Sequence, residues 1–286
     1  MISRRNFLKA SAGAAGLLFL HNPSLAMASE SGQNDRLSML IDITKCVGCW
    51  WCYAACKEYN NLPETELPDL EEPPELSPTV WTTLKPVKSG TQWISRKNAC
   101  NHCTDAACVE VCPTGALSYN DSGYVQYEKS KCSGCGYCAE VCPFEVPQLE
   151  TNSVTGVAIM NKCTFCHDRV SNGESPACAA ACPTGAITFG KRSELISSAE
   201  ARLDELKGSN STAQLYGVEE LGGLNVMYIL DNSPETYGLP ADPEVPASVT
   251  VRKVFSWIGP VAAIAVVAGF GLNYIVARMR MANGEK

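Results

Sequence analysis

Histidine is nearly missing from this sequence, with three among 286 residues, at positions 21, 102 and 167. No Ser-His-Asp set, glycine-rich phosphate loop or nicotinamide fingerprint can be picked out, so the chain lacks the usual material for hydrolytic, phosphoryl or hydride chemistry. A basic stripe is missing as well. The 23 Lys and Arg stand against 30 Asp and Glu, net −7, with the acids spread along the chain, which excludes a nucleic-acid partner on electrostatic grounds. What is plentiful is cysteine, 16 residues. That is below the roughly 8–10% that marks disulfide scaffolds, which are also usually short chains, whereas this one has room for one large or two modest domains. Spacing must decide what the thiols do.

Uncharged stretches are concentrated at the two ends. Arg4 and Arg5 in "SRRNFLK" precede an apolar, small-residue stretch from Ala10 to Leu20, and Ala26-Met27-Ala28 fits a small-x-small cleavage site. The twin arginine resembles the signal of the Tat pathway, which exports proteins already folded. Cleavage after Ala28 removes Arg4, Arg5 and Lys9 but no acid, moving the net charge from −7 to −10. Val254 to Ala277 is a run of 24 residues without a charge. As a helix it would span about 36 Å, enough to cross a bilayer. Trp257 and Tyr274 stand near its ends and Arg278, Arg280 and Lys286 follow it, so a single-pass inner-membrane protein with its main domain on the periplasmic side is expected. The run holds neither His nor Met, so it offers no usual axial ligand to a haem.

The cysteines form four groups of four: Cys46, Cys49, Cys52 and Cys56; Cys100, Cys103, Cys108 and Cys112; Cys132, Cys135, Cys138 and Cys142; Cys163, Cys166, Cys178 and Cys182. The third, "CSGCGYCAEVCP", follows the bacterial ferredoxin pattern residue for residue, and the others lengthen a gap or lack the proline. Three thiolates in a tight loop can each reach a different iron of a 4Fe-4S cube, with Gly48, Gly134 and Gly136 letting the backbone fold close. The fourth cysteine lies one helical turn on, where in two-cluster ferredoxins it reaches the other cluster. Zinc sites are built from paired Cys-x-x-Cys knuckles instead. "CVEVCPTGAL", "CAEVCPFEVP" and "CAAACPTGAI" repeat one unit.

Between runs two and three, "ALSYNDSGYVQY" alternates around a turn signal, predicting a β-hairpin. Runs two and three should then make one two-cluster module, with runs one and four nested around it as another. Cys182 is expected to complete Cys46, Cys49 and Cys52; Cys56 to complete Cys163, Cys166 and Cys178; Cys142 to complete Cys100, Cys103 and Cys108; and Cys112 to complete Cys132, Cys135 and Cys138. That makes four 4Fe-4S clusters. Residues 63–78, with five prolines and six acids, read as an extended surface linker. A helix is predicted over Ser193–Lys207, stopped by Gly208, and a buried strand over Leu224–Leu230. His102 and His167, each beside a cluster cysteine, read as ordinary polar loop residues, with tuning of a cluster's potential by hydrogen bonding or charge as the alternative, and Trp50 and Trp51 as packing or as a shield against water. The expected fold is α+β. Its parts are a signal (1–28), the first run with the acidic insertion (29–99), a central module (100–150), the fourth run (151–190), a C-terminal extension (191–253), a transmembrane helix (254–277) and a cytoplasmic tail (278–286).

In this order of features the chain resembles the iron-sulfur (beta) subunits of respiratory complexes in the molybdopterin oxidoreductase group, formate dehydrogenase most closely. The stretches "LSPTVWTTLKPV", "WISRKNACNHC" and "QLYGVEELGGLNVMYILDNSPETYGLP" add to the likeness. The resemblance implies a non-catalytic electron-transfer subunit that carries electrons from a molybdopterin-containing catalytic subunit to a membrane cytochrome b and the quinone pool. It further implies that runs one and four face the catalytic subunit and runs two and three the membrane. The chain's own twin-arginine signal departs from that pattern and is similar to the iron-sulfur subunit of periplasm-facing, quinone-linked nickel-iron hydrogenase, the alternative assembly. A membrane-anchored iron-sulfur sensor is a further alternative, although no sensing domain is visible.

Overall fold

The computed structural model describes residues 36–89, 92–208 and 210–282. The expected signal peptide and residues 283–286 of the expected tail lie outside them, as do the side chains of 252–257, 259–261, 263 and 280–282 on the last helix. In chain order the strands and α-helices are β1 Leu37–Asp42, α1 Trp51–Tyr59, β2 Thr83–Ser89, β3 Gln92–Asn98, α2 Ala107–Glu110, β4 Leu117–Tyr119, β5 Val125–Tyr127, α3 Tyr137–Glu140, β6 Gln148–Thr151, β7 Ala158–Asn161, α4 His167–Ser171, α5 Ala177–Ala180, β8 Ile187–Lys191, α6 Arg192–Lys207, β9 Gln214–Tyr216, β10 Val226–Leu230 and α7 Ala247–Ala282.

A four-stranded sheet in the order β8-β1-β10-β9 organises the outer part of the molecule. Strand β1 leads into run one and β8 follows run four, and their antiparallel pairing, from Leu37↔Lys191 to Ile41↔Ile187, brings the first and last cysteine runs together. The strand expected at Leu224–Leu230 forms as β10. It lies parallel to β1, from Met39↔Val226 to Asp42↔Ile229, so the C-terminal extension supplies a central strand of this sheet. Every residue of β10 is buried and β1 is buried from Ser38 on, as befits strands covered on both faces.

The alternation of a strand divides the two faces. Leu40, Met227 and Ile229 meet Leu195 and Ala199 of α6, the predicted helix, whose C-cap is the predicted Gly208. Met39, Ile41, Val226 and Tyr228 face the other way, into a core that includes Trp50, Cys52, Phe165 and Cys178. Arg192 locks the first turn of α6 to the extension, donating from Nη1 to the Leu224 carbonyl and from Nη2 to those of Val218 (2.8 Å) and Gly217 (3.3 Å).

The predicted hairpin is β4-β5, pairing Leu117↔Tyr127 through Tyr119↔Val125, and its turn is closed by the Tyr124 N–H on Asn120 Oδ1 at 3.1 Å. A second hairpin, β6-β7, precedes run four. Residues 63–78 hold no regular helix, as expected, but they are tied down. Lys57 Nζ donates to the Pro63 carbonyl at 2.8 Å, Thr83 Oγ1 to that of Pro74 at 2.7 Å, and Leu70 lies over Gly48.

Helix α7 contains the uncharged run but begins seven residues before it, at Ala247. The expectation of a membrane-spanning helix is not met among the described residues, where no helix is long and apolar enough to cross a membrane.

Candidate iron-sulfur centres

In each run the residue before the second cysteine has a left-handed backbone: Gly48 (φ 68°), His102 (φ 47°), Gly134 (φ 69°) and Phe165 (φ 61°). At Gly48, His102 and Gly134 this turns the N–H back onto the first cysteine of the run, Cys46, Cys100 and Cys132, where it favours the thiolate. Glycine adopts the turn at little cost and His and Phe do not, so the surroundings must hold His102 and Phe165 in place. Phe165 is buried in the main core, and its ring lies 4.8 Å from those of His102 and Tyr124. Gly134 has a second reason to be glycine, because a Cβ there would stand 2.0 Å from the Ala158 carbonyl oxygen on β7.

Of the four quartets that nesting of the runs predicts, two each line a common hollow: Cys182 joins Cys46, Cys49 and Cys52 in one, and Cys112 joins Cys132, Cys135 and Cys138 in the other. Burial raises the Cys46 thiol, and the charges of Cys49 and Cys182 raise it further. Cys56 and Cys166 are raised by burial and then by Cys163 and Cys178, Cys166 up to about 12. Burial also raises Cys103, with Cys100, Cys142 and Cys108 as its charged neighbours. Cys138 is pushed up to about 11 by burial and by Cys135, Cys132 and Cys112. Charge also acts between the predicted quartets, from Cys178 on Cys52, from Cys163 on Cys100 and from Cys138 on Cys108.

These two quartets each border a hollow, Cys46, Cys49, Cys52 and Cys182 one and Cys112, Cys132, Cys135 and Cys138 the other. Each is lined by a buried donor without a protein partner, Trp50 Nε1 in the first and the Tyr127 hydroxyl in the second. An orphaned buried donor is costly unless a bound group satisfies it, and a sulfur-rich cluster would accept from both. Among the described residues no three His, Cys, Asp or Glu converge on a single metal ion. Zinc would draw its sulfurs to about 2.3 Å of one centre, whereas a four-iron cube gives each thiolate an iron of its own. The donor set fits 4Fe-4S clusters.

Burial opposes the charged form at Cys112 and Cys132, but donors there outweigh it and lower both thiols: the Leu117 N–H and Thr114 at Cys112, and the Met160 N–H at Cys132. The sequence reading of His102 needs correction. It is fully buried, not a polar loop residue, with Nδ1 3.1 Å from the Val125 carbonyl and Nε2 unpartnered. Burial and then the Lys162 charge press its pKa well below the ordinary value, so the ring is neutral. His167 is half-buried and meets the Tyr124 hydroxyl through Nδ1 at 2.8 Å. The two tryptophans part company: Trp50 is buried against the first hollow and Trp51 is 57% exposed.

Sequence reasoning also passed over Lys97 and Lys162, buried at 3% and 2% exposure. Their place just before a cysteine run, in "RKNAC" and "NKC", was the available signal. Burial alone would lower the Lys97 pKa, yet the charges of Cys178, Cys163 and Cys52 outweigh it and hold it above the usual lysine value.

Family models match both the cysteine runs and the N-terminal segment. Two that describe a 4Fe-4S dicluster domain match residues 45–116 and 91–192, and one for the twin-arginine translocation signal matches residues 1–21. The chain is 39% identical over 257 residues to the nitrate-inducible formate dehydrogenase iron-sulfur subunit of Escherichia coli K12, covering 84% of this chain and 85% of that one. It is 38% identical over 246 residues to the formate dehydrogenase iron-sulfur subunit of Haemophilus influenzae, covering 81% and 76%. It is also 32% identical over 322 aligned positions to the hydrogenase-2 operon protein HybA of Escherichia coli O157:H7, covering 97% and 95%.

Proposed function

Because this chain belongs to the family of formate dehydrogenase iron-sulfur subunits, we propose that it is a four-cluster electron wire between a periplasmic molybdopterin catalytic subunit and a membrane cytochrome b that serves the quinone pool. The observation that carries this reading is that thiols of successive predicted quartets lie near enough for their charges to act on one another, Cys178 on Cys52, Cys163 on Cys100 and Cys138 on Cys108. Cys46, Cys49, Cys52 and Cys182 stand at one end. Next come Cys56, Cys163, Cys166 and Cys178, then Cys100, Cys103, Cys108 and Cys142, with Cys112, Cys132, Cys135 and Cys138 at the far end. When bound, 4Fe-4S clusters supply one-electron storage at each station. The protein supplies thiolates, buries the inner stations and keeps water from the path.

The end built from runs one and four faces the catalytic subunit in this reading, and it presents exposed Val47 and Trp51 beside the first quartet. The other end faces the membrane. Support comes from Val249 at the start of α7, which packs on Ala107 and Val111 next to Cys108 and Cys112. Helix α7 contacts lipid in this reading, since Ile264, Val267 and Phe270 are each at least 70% exposed on it and are side chains suited to an apolar surface. The twin-arginine signal fits a protein that folds around its clusters before export. The same signal, with a likeness to the hydrogenase-2 protein that runs the length of the chain, favours a second reading in which the catalytic partner is a nickel-iron subunit.

Purification from membranes tests both readings. About sixteen irons per chain are expected, four for each of four clusters, and a content near four irons, or zinc in their place, would overturn the wire. A co-purifying molybdopterin subunit supports the first assembly and a nickel-iron subunit the second. Release of the full chain by an alkaline carbonate wash would overturn the lipid contact of α7.

A further inference from the structure

From the placement of two buried cations we propose that Lys97 and Lys162 are positioning residues for electron transfer, each fixing a positive charge at one junction between successive clusters and raising the reduction potential of the clusters it faces. The inference rests on the wire reading above. Lys97, the last residue but one of β3, is buried and lines the hollow of the first quartet, and the thiolates that act on it most are Cys178 and Cys163 of the second quartet and Cys52 of the first. Lys162 follows β7 directly before Cys163 of the second quartet, and its charge acts on Cys100, Cys108 and Cys142 of the third. The first two junctions therefore each hold one buried ammonium.

These cations have no ordinary reason to be buried. Among the described residues neither forms an ion pair with a carboxylate. Lys162 Nζ donates only to the carbonyls of Cys163 (3.0 Å) and Val125 (3.4 Å). A buried ammonium costs several kcal/mol unless negative charge faces it. The thiolates are the anions at hand, and a cluster ligated by four of them is net negative and gains a further negative charge on reduction. A fixed cation beside it favours the reduced form, because net charge and the local dielectric are among the terms that set cluster potentials. The electron arrives from the neighbouring cluster and leaves to the next, so the lysines gain and lose nothing.

The test uses the full chain in its membrane complex, with Lys97→Met, Lys97→Gln, Lys162→Met and Lys162→Gln beside the Lys→Arg variants. Iron is counted first, and the cluster potentials are then followed by redox titration with electron paramagnetic resonance. With all clusters retained, each neutral variant should weaken reduction of the clusters it faces by about tenfold or more, a fall of about 59 mV for a one-electron couple. The Lys97 and Lys162 variants should move different sets of midpoints, and arginine should restore most of the shift. Unmoved midpoints with four clusters present would overturn the proposal. So would loss of clusters in both neutral variants with arginine restoring assembly, because the lysines would then be structural. Wild-type protein short of four clusters would instead fail the wire reading on which the proposal stands.

Discussion

At the scale of single residues, the four runs share one strained position and solve it in two ways. Gly48 and Gly134 use glycine, while His102 and Phe165 rely on tight aromatic packing. The glycine solution was legible in "CVGC" and "CSGC", whereas the burial that steadies His102 comes from Phe165 and Tyr124, more than 20 positions away, and a local reading took the histidine for a loop residue. Gly134→Ala should be far more damaging than Gly185→Ala. Both positions have a left-handed backbone, but a Cβ at Gly134 meets the Ala158 carbonyl and one at Gly185 meets nothing within 4 Å. The expected costs are about 3 kcal/mol or more against about 1 kcal/mol. Thermal melts of the cluster-loaded protein should separate them, with a drop of about 2–4 °C for each kcal/mol in a chain of this size.

At the scale of elements, the β4-β5 hairpin and helix α6 were readable because their signals are local: a turn sequence between alternating residues, and a 3.6-residue periodicity ended by Gly208. The location of β10 was not. "LNVMYIL" announces a buried strand, but parallel pairing with β1 joins residues 187 positions apart, as in Ser38 and Asn225, and nothing in either segment specifies that distance. Arg192 depends on this arrangement, since all three carbonyls it binds belong to the extension. Arg192→Met should cost about 3 kcal/mol, because hydrogen bonds from a charged donor are among the stronger ones and buried carbonyls would lose their partner. Urea unfolding should show a lower midpoint with an unchanged slope, and a shift under about 0.5 kcal/mol would mean that water replaces the guanidinium.

At the scale of the whole molecule, the cysteines rather than one continuous hydrophobic core join the parts. Cys52, Cys138, Cys166 and Cys178 are buried within or beside the apolar clusters, and in the proposed wire every quartet takes ligands from two runs. Clusters bound there would cross-link segments distant in sequence, so binding energy becomes folding energy. Removing iron with a chelator under anaerobic conditions should lower the melting temperature by about 10 °C or more and expose all 16 cysteines to alkylation. Retention of the melting temperature after complete iron loss would mean that the apolar core alone holds the fold. By itself the sequence determined the type of cofactor and the export signal, because thiolate spacing is a local constraint and duplicated runs carry it four times. Only the tertiary structure decided that the first and last cysteine runs meet across β1 and β8, that the C-terminal extension enters the sheet beside β1, and that two lysines lie buried just before cysteine runs. Those relations depend on long-range packing, where the partner of a residue is chosen by shape and burial across the molecule and not by the residues beside it in the chain.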